Sequence, residues 1–266
     1  MPRIAANLTM LFTEYPFLER FDRAAAAGFT AVEFLFPYAE DLDGIERKLE
    51  RNGLELILFN LPAGDWAAGE RGIACQPARQ AEFRDGVARA VAIGPRLKVP
   101  QINCLAGKRD PVSAPEDAHA TLIDNLRYAA EQLDGVGIKL LVEPVNTHDI
   151  PDFAVPTTAD GLVLIDEVSH SNLGLQLDTY HAMRMEEDPI QMVRDYAARI
   201  THIQIADVPG RHQPGTGDVD FRELFAAIDG AGYEGWVSLE YNPEGLTEDG
   251  FGLMRDLGLL PAAKDA

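Results

Sequence analysis

The chain has 266 residues, 46% of them hydrophobic, enough for one sizeable core and in keeping with the length of a single α/β barrel. Its 43 acidic against 23 basic residues give a formal charge of -20, a field that repels nucleic-acid phosphates and anionic lipid. No segment approaches the ~20 apolar residues that cross a bilayer, and two cysteines, Cys75 and Cys104, are too few for a disulfide framework, so inert thiols in a reducing cytoplasm are expected.

The opening MPRIAANLTM has no apolar run or small-residue cleavage site of an export signal. From there, short runs rich in β-branched residues alternate with longer amphipathic stretches about eight times, at a spacing of roughly 33 residues, close to one βαβ step. Strands are expected near Ile4–Asn7, Ala31–Phe34, Leu54–Phe59, Gln101–Cys104, Lys139–Glu143, Leu173–Leu177, Ile200–Ile205 and Trp236–Leu239. Helices fill the gaps: Pro16 suits a first turn, Ala24–Ala27 is good helix former, Gly28 and Gly53 follow helical runs, and Pro189 opens another.

No glycine-rich phosphate turn follows the first strand, so eight regular units favour a closed (β/α)₈ TIM barrel over an open doubly wound sheet. No linker divides the chain, and one domain over residues 1–266 is expected. The two longest connections, Asn60–Pro77 and Ala206–Asp218, belong to the C-terminal face, where such loops are usually functional.

In a closed barrel alternate residues point inward, and the last inward positions crowd the C-terminal mouth. The fifth strand, KLLVEP, ends in Glu143 and the sixth, LGLQLDTYH, in Asp178. In THIQIAD, Ile203 and Ile205 face the helices while His202 and Gln204 face inward; in WVSLEY, Glu240 follows inward Ser238 by two. A lone glutamate at a strand end is most often a loop hydrogen-bonding partner. Four such residues at one depth are different, because converging carboxylates repel unless a cation lies among them. Oxygen ligands of this kind suit Mg²⁺ or Mn²⁺ better than zinc.

At these residues the sequence resembles the sugar-isomerase-like branch of the xylose isomerase barrel family. Within it, ANLTMLFTEYPFLERF, VEFLFPY, NLPAGDWAAGERGIACQP, INCLAGK, LVEPVN, QLDTYHAMRMEED, HIQIADVPGRHQPGTGDVDF and GWVSLEYNPEGLTEDG resemble the hydroxypyruvate isomerases, from Ala6 to Gly250. The resemblance implies interconversion of hydroxypyruvate and 2-hydroxy-3-oxopropanoate, in glyoxylate and glycerate metabolism. It implies Glu143 and Glu240 as the proton donor and acceptor pair, and Glu143, Asp178, Gln204 and Glu240 as the metal set. Sugar epimerases generally carry histidine where this chain has Gln204. The 2-oxotetronate isomerases share the same set and are the nearest alternative.

Weaker participants follow. His181, three residues after Asp178, can turn back to the mouth and meet a substrate oxygen, or be an exposed loop histidine. Arg211, in VPGRHQPG, matches the family's cation near the substrate, and a guanidinium suits a carboxylate. Lys108, in AGKRD, is a second candidate for that carboxylate, though loop lysines are mostly solvated. Glu33 orients the groups around it, His202 is a core histidine, Trp66 a lid and Trp236 packing.

The expected partner is a small hydroxy-carbonyl acid, with a homo-oligomer left open, and neither nucleic acid nor membrane. DNA-repair endonucleases of the same barrel family need a histidine-rich zinc cluster and a cationic face; six histidines and a charge of -20 do not supply them. A non-catalytic ligand-binding barrel is opposed by the intact pair Glu143 and Glu240.

Overall fold

The β-branched runs form eight parallel strands: β1 Arg3–Asn7, β2 Ala31–Glu33, β3 Glu55–Asn60, β4 Gln101–Cys104, β5 Lys139–Val142, β6 Leu173–Asp178, β7 Ile200–Ile205 and β8 Trp236–Leu239. In this computed structural model, which describes residues 2–262, each strand pairs with the next and β8 returns to β1, leaving no free sheet edge. The expected strands agree within a residue or two. Glu143 and Glu240 stand just past β5 and β8 rather than inside them.

Nine helices are described: α1 Phe17–Ala27, α2 Leu42–Asn52, α3 Gln80–Leu97, α4 Pro115–Asp134, α5 Thr158–Val168, α6 Thr179–Arg184, α7 Pro189–Tyr196, α8 Phe221–Gly230 and α9 Gly252–Asp256. Among the described residues no helix is long and apolar enough to cross a membrane. Local chemistry sets their ends. Asp188 accepts from Ile190 N and Gln191 N ahead of Pro189, opening α7. At Gly28, φ is 102°, so the chain leaves α1 in a left-handed conformation that suits glycine.

Two apolar layers result. The larger lies between strands and helices, where Phe21 is fully buried and meets Phe17 and Phe34 edge-on at centroid distances of 5.5 and 6.1 Å. The smaller fills the barrel floor with Ala5, Ala31, Ile57, Leu58 and Leu141. Trp236 packs against this floor with the Arg3 guanidinium 4.5 Å from its ring, as its packing role required.

Val32 pairs with Leu56 but Glu33 with Leu58, so Ile57 is an extra residue. That bulge sends both Ile57 and Leu58 to the floor, a departure from strict alternation that periodicity cannot foresee. The 143–157 connection between β5 and α5 is as extended as the two long loops read from the sequence.

Phe21→Ala empties a closed site and is expected to lower unfolding free energy by about 3–5 kcal/mol, measured from urea midpoints at unchanged m value. A loss below about 1 kcal/mol would show that the aromatic cluster does not hold α1 to the barrel.

Candidate active site

Asp178 ends β6, Gln204 lies in β7, and Glu143 and Glu240 follow β5 and β8; all four are buried at the C-terminal mouth. They converge. Arg211 Nη2 donates to Asp178 Oδ2 at 2.9 Å and to Glu240 Oε2 at 2.7 Å. Glu143 Oε2 accepts from Asn103 Nδ2 at 2.8 Å.

Beneath this ring, Glu33 is wholly buried and is the centre of a polar layer. Asn7 Nδ2 (2.9 Å) and Gln204 Nε2 (2.6 Å) donate to its Oε1, and His202 Nε2 lies 2.7 Å from its Oε2. Burial pushes the Glu33 carboxyl up, but His202 and the amide donors outweigh it and the net shift is downward. The layer reaches the mouth through Asn7, whose Nδ2 also donates to Glu240 Oε1 at 2.8 Å; within the layer Gln204 Oε1 accepts from Gln176 Nε2 at 2.6 Å.

At the mouth the balance reverses. Burial, then the charges of Glu240 and Asp178, push the Glu143 carboxyl well above the usual carboxylate range. Burial lifts Glu240 to about 8 against the opposing Arg211, with Asp178 and Glu33 adding to the rise.

Arg211 comes from the 206–220 loop, which is folded around one buried carboxylate. Asp207 Oδ2 accepts from the backbone N–H groups of Gly215, Thr216 and Gly217 at 2.8–2.9 Å, and Oδ1 from Val208 and Val219 at 3.0 and 3.1 Å. Arg211 itself takes a φ of 55° at the turn this creates. Its guanidinium lies 4.9 Å from the Tyr180 ring.

Asp178 also caps the short α6, accepting from Tyr180 N at 2.8 Å, and so turns His181 into the mouth. Burial and then Arg211 push the His181 imidazole well below its ordinary value, so it is neutral near pH 7. Asn146 settles its tautomer. The Asn146 amide is oriented by Asp149, whose N–H meets its Oδ1 and whose Oδ2 meets its Nδ2. Nδ2 therefore points as a donor at His181 Nδ1, 2.6 Å away, and the ring proton is on Nε2, 3.6 Å from Asp178 Oδ2.

Glu143, His181, Arg211 and Glu240 line a cavity of about 430 Å³ together with Trp66, Arg71, Asn60, Asp149 and Phe153. Trp66 is where a lid residue would be. Lys108 is not brought here: it faces a neighbouring cleft beside Ala68 and Arg109, and its carbonyl takes the Cys75 thiol and the Gln76 amide. Sequence reasoning passed over Asn7 and Asn103, although both are last inward residues of their strands and the same parity rule finds them. Arg71, Asn146 and Asp207 lie on loops, where no periodicity marks them.

Ligand atoms of Glu143, Asp178 and His181 lie within 4.8 Å of one another, and these three residues could hold a metal ion. Two carboxylates and an imidazole fit a divalent cation. His181 enters this group with its proton on the inward nitrogen, whereas Gln204 and Glu240, expected as ligands, spend their oxygens here on Gln176, Asn7 and Arg211.

The closed barrel places the chain in a class confirmed by comparison: residues 21–257 match the pattern described as Xylose isomerase-like TIM barrel, and the chain belongs to that family. The hydroxypyruvate isomerase of Escherichia coli (strain K12) is 50% identical over 250 residues, 94% of this chain and 97% of that one. A 2-oxo-tetronate isomerase of Cupriavidus necator is 41% identical, over 96% of this chain and 98% of its own. A crystal structure titled AP endonuclease, family 2, from Brucella melitensis superposes with TM-score 0.93 at 42% identity, covering 96% of this chain and 99% of that chain. The resemblance read from the sequence thus extends over nearly the whole molecule.

Between its ordinary 4.5 and about 8, folded Glu240 keeps a proton that the unfolded chain has released. Stability from this group is full at the lower value and is lost as pH rises to the upper one. Raising pH over that range is therefore expected to lower Tm of the metal-free protein more than Tm of Glu240→Gln. Excess Mg²⁺ or Mn²⁺, which competes with protons for the carboxylates, is expected to raise Tm more at about pH 8 than at about pH 5. A metal shift that is larger at the acid end contradicts this electrostatic account.

Proposed function

We propose that this chain is an isomerase that interconverts hydroxypyruvate and 2-hydroxy-3-oxopropanoate by moving a proton between C3 and C2. The observation that carries the reading is Glu143 and Glu240 facing one small cavity, two buried carboxylates with raised proton affinity beside two arginines. The likeness to the hydroxypyruvate isomerase of Escherichia coli supports the same substrate. The likeness to 2-oxo-tetronate isomerases makes a longer 2-oxo acid the competing one.

One of the two carboxylates takes the C3 proton, leaving an enediolate; the hydroxyl proton passes from O3 to O2 and the other carboxyl returns a proton at C2, so that the C3 hydroxyl becomes the aldehyde and the C2 carbonyl the hydroxyl. Raised proton affinity serves both tasks, because a group that gives and takes protons near neutral pH needs a value near neutral pH. His181, with its proton on Nε2, donates to a substrate oxygen, and Arg211 faces the same oxygens while holding Asp178 and Glu240 in place. Closure of Trp66 and its neighbours over the cavity would keep water out.

Glu143, Asp178, Gln204 and Glu240 would hold a Mg²⁺ or Mn²⁺ ion, which as a Lewis acid would stabilise negative charge developing on the substrate oxygens. The neutral His181 beside them fits the substrate rather than the ion, given its inward proton. One barrel domain spanning residues 1–266 carries the whole site. The free, buried Cys75 and Cys104 suit a cytoplasmic enzyme, and the reaction suits glyoxylate metabolism.

Glu143→Gln and Glu240→Gln are each expected to fold and bind metal while isomerisation falls by at least ~10²-fold. Exchange of the C3 hydrogen in D₂O, followed by NMR, assigns the roles: the variant lacking only the C2 donor still exchanges, and the one lacking the C3 base does not. Near-normal turnover by either variant with metal bound would refute the two-carboxylate mechanism. Turnover of 2-oxo-tetronate far above hydroxypyruvate by the unaltered protein would replace the substrate.

A further inference from the structure

Two arginines line the mouth cavity, Arg211 and Arg71, and their charges are differently engaged. Arg211 gives one amino group to both Asp178 and Glu240, so its charge is offset where it lies. Arg71 makes no ion pair among the described residues. Its Nη1 donates to the carbonyls of Trp66 at 3.2 Å and Glu70 at 2.7 Å, contacts that neutralise nothing. The adjacent Glu70 is no partner, because its carboxylate is taken by Arg79 and by Asp65 N–H.

Arg71 is also held firmly. Its guanidinium lies 4.0 Å from the Trp66 ring, and Trp66 meets Phe36 at 5.1 Å on its edge. The next residue, Gly72, has φ +111° and lies so close to the loop after β4 that a Cβ there would fall 2.3 Å from Leu105 O. Gly72 N–H bonds to Ala63 O at 3.0 Å and Cys75 N–H to Ala106 O at 2.9 Å, clamping the loop immediately after the arginine. One amino group is tied to the loop, while Nη2 and Nε form no hydrogen bond among the described residues. A guanidinium fixed in this way retains donors for a carboxylate, with less ordering cost than a free side chain.

We infer that Arg71 seats the substrate's carboxylate and thereby selects short 2-oxo acids over neutral sugars of similar length. The inference rests on the reading of the site as one for a small hydroxy-carbonyl acid. It answers a demand of the electrostatics: a chain of charge -20 with Glu143, Asp178 and Glu240 at its mouth admits an anion only beside a cation that the protein has not already neutralised. The assignment leaves Arg211 and His181 for the oxygens of the reacting carbons, and moves the carboxylate away from Arg211, where the family resemblance had suggested it.

The test compares each acid with the sugar lacking its carboxylate, hydroxypyruvate with dihydroxyacetone first, by NMR titration of the metal-loaded protein alongside steady-state kinetics. Arg71→Gln is expected to weaken hydroxypyruvate about 10²-fold and to raise KM far more than it lowers kcat, because a remote anchor binds ground and transition states alike. Dihydroxyacetone is expected to change less than about 2-fold, and Arg71→Lys to retain part of the acid binding. Equal weakening of both ligands would mean that Arg71 only supports the Trp66 loop, and no weakening of the acid would put the anchor elsewhere; either result overturns the inference. If the unaltered protein prefers another 2-oxo acid, the substrate assignment fails by itself, and the same comparison on that acid decides the role of Arg71. An unaltered protein that distinguishes no acid from its neutral partner overturns both.

Discussion

Glu33 sits fully buried at the middle of a closed barrel, and its charge is sustainable there only through hydrogen bonds from β1 and β7. Satisfying it fixes much else. Asn7 must point inward, and the same amide nitrogen then reaches Glu240; Gln204 must turn its nitrogen down, which leaves its oxygen to Gln176. Residues from β1, β2, β6 and β7 are thereby locked in one arrangement directly below the acidic mouth. Removing one member would leave a buried charge or dipole uncompensated, at a cost on the order of 3–5 kcal/mol for the charge.

Strands and loops divide the electrostatics of the mouth between them. The acids Glu143, Asp178 and Glu240 come from strand ends, where the hydrogen-bonded barrel holds their separation. The cations Arg211 and Arg71 come from the 206–220 and 61–76 loops, each braced by its own device: the Asp207 carboxylate in one, the Gly72 approach to Leu105 in the other. Under the proposed function, proton chemistry would depend on the rigid part of the fold, and recognition of the substrate on segments whose sequence can change without disturbing the barrel.

Burial makes the acids useful. In water these carboxyls would be fully ionised at neutral pH; desolvation and mutual repulsion at the mouth bring Glu240 to about 8 and Glu143 well above its usual range. Arg211 opposes that rise without cancelling it. Moving the guanidinium away would therefore alter proton affinity and substrate contacts together, which couples the loop to the chemistry.

The sequence by itself determined the barrel and most of its acidic mouth. Apolar runs with a period of two, separated by helical runs, encode eight strands through interactions between near neighbours, and closure then brings Glu143, Asp178 and Glu240 to one mouth. The same parity also contained Asn7 and Asn103, legible in principle. Only the tertiary structure decided the rest. The Ile57 bulge depends on how β2 and β3 fit together, and the His181 tautomer depends on Asn146, 35 residues away in the chain. Lys108 lines a neighbouring cleft only, while Arg71, unmarked by any pattern, lines both that cleft and the mouth. Loop side chains are placed by contacts between segments distant in sequence, and alternation along a strand holds no record of those contacts.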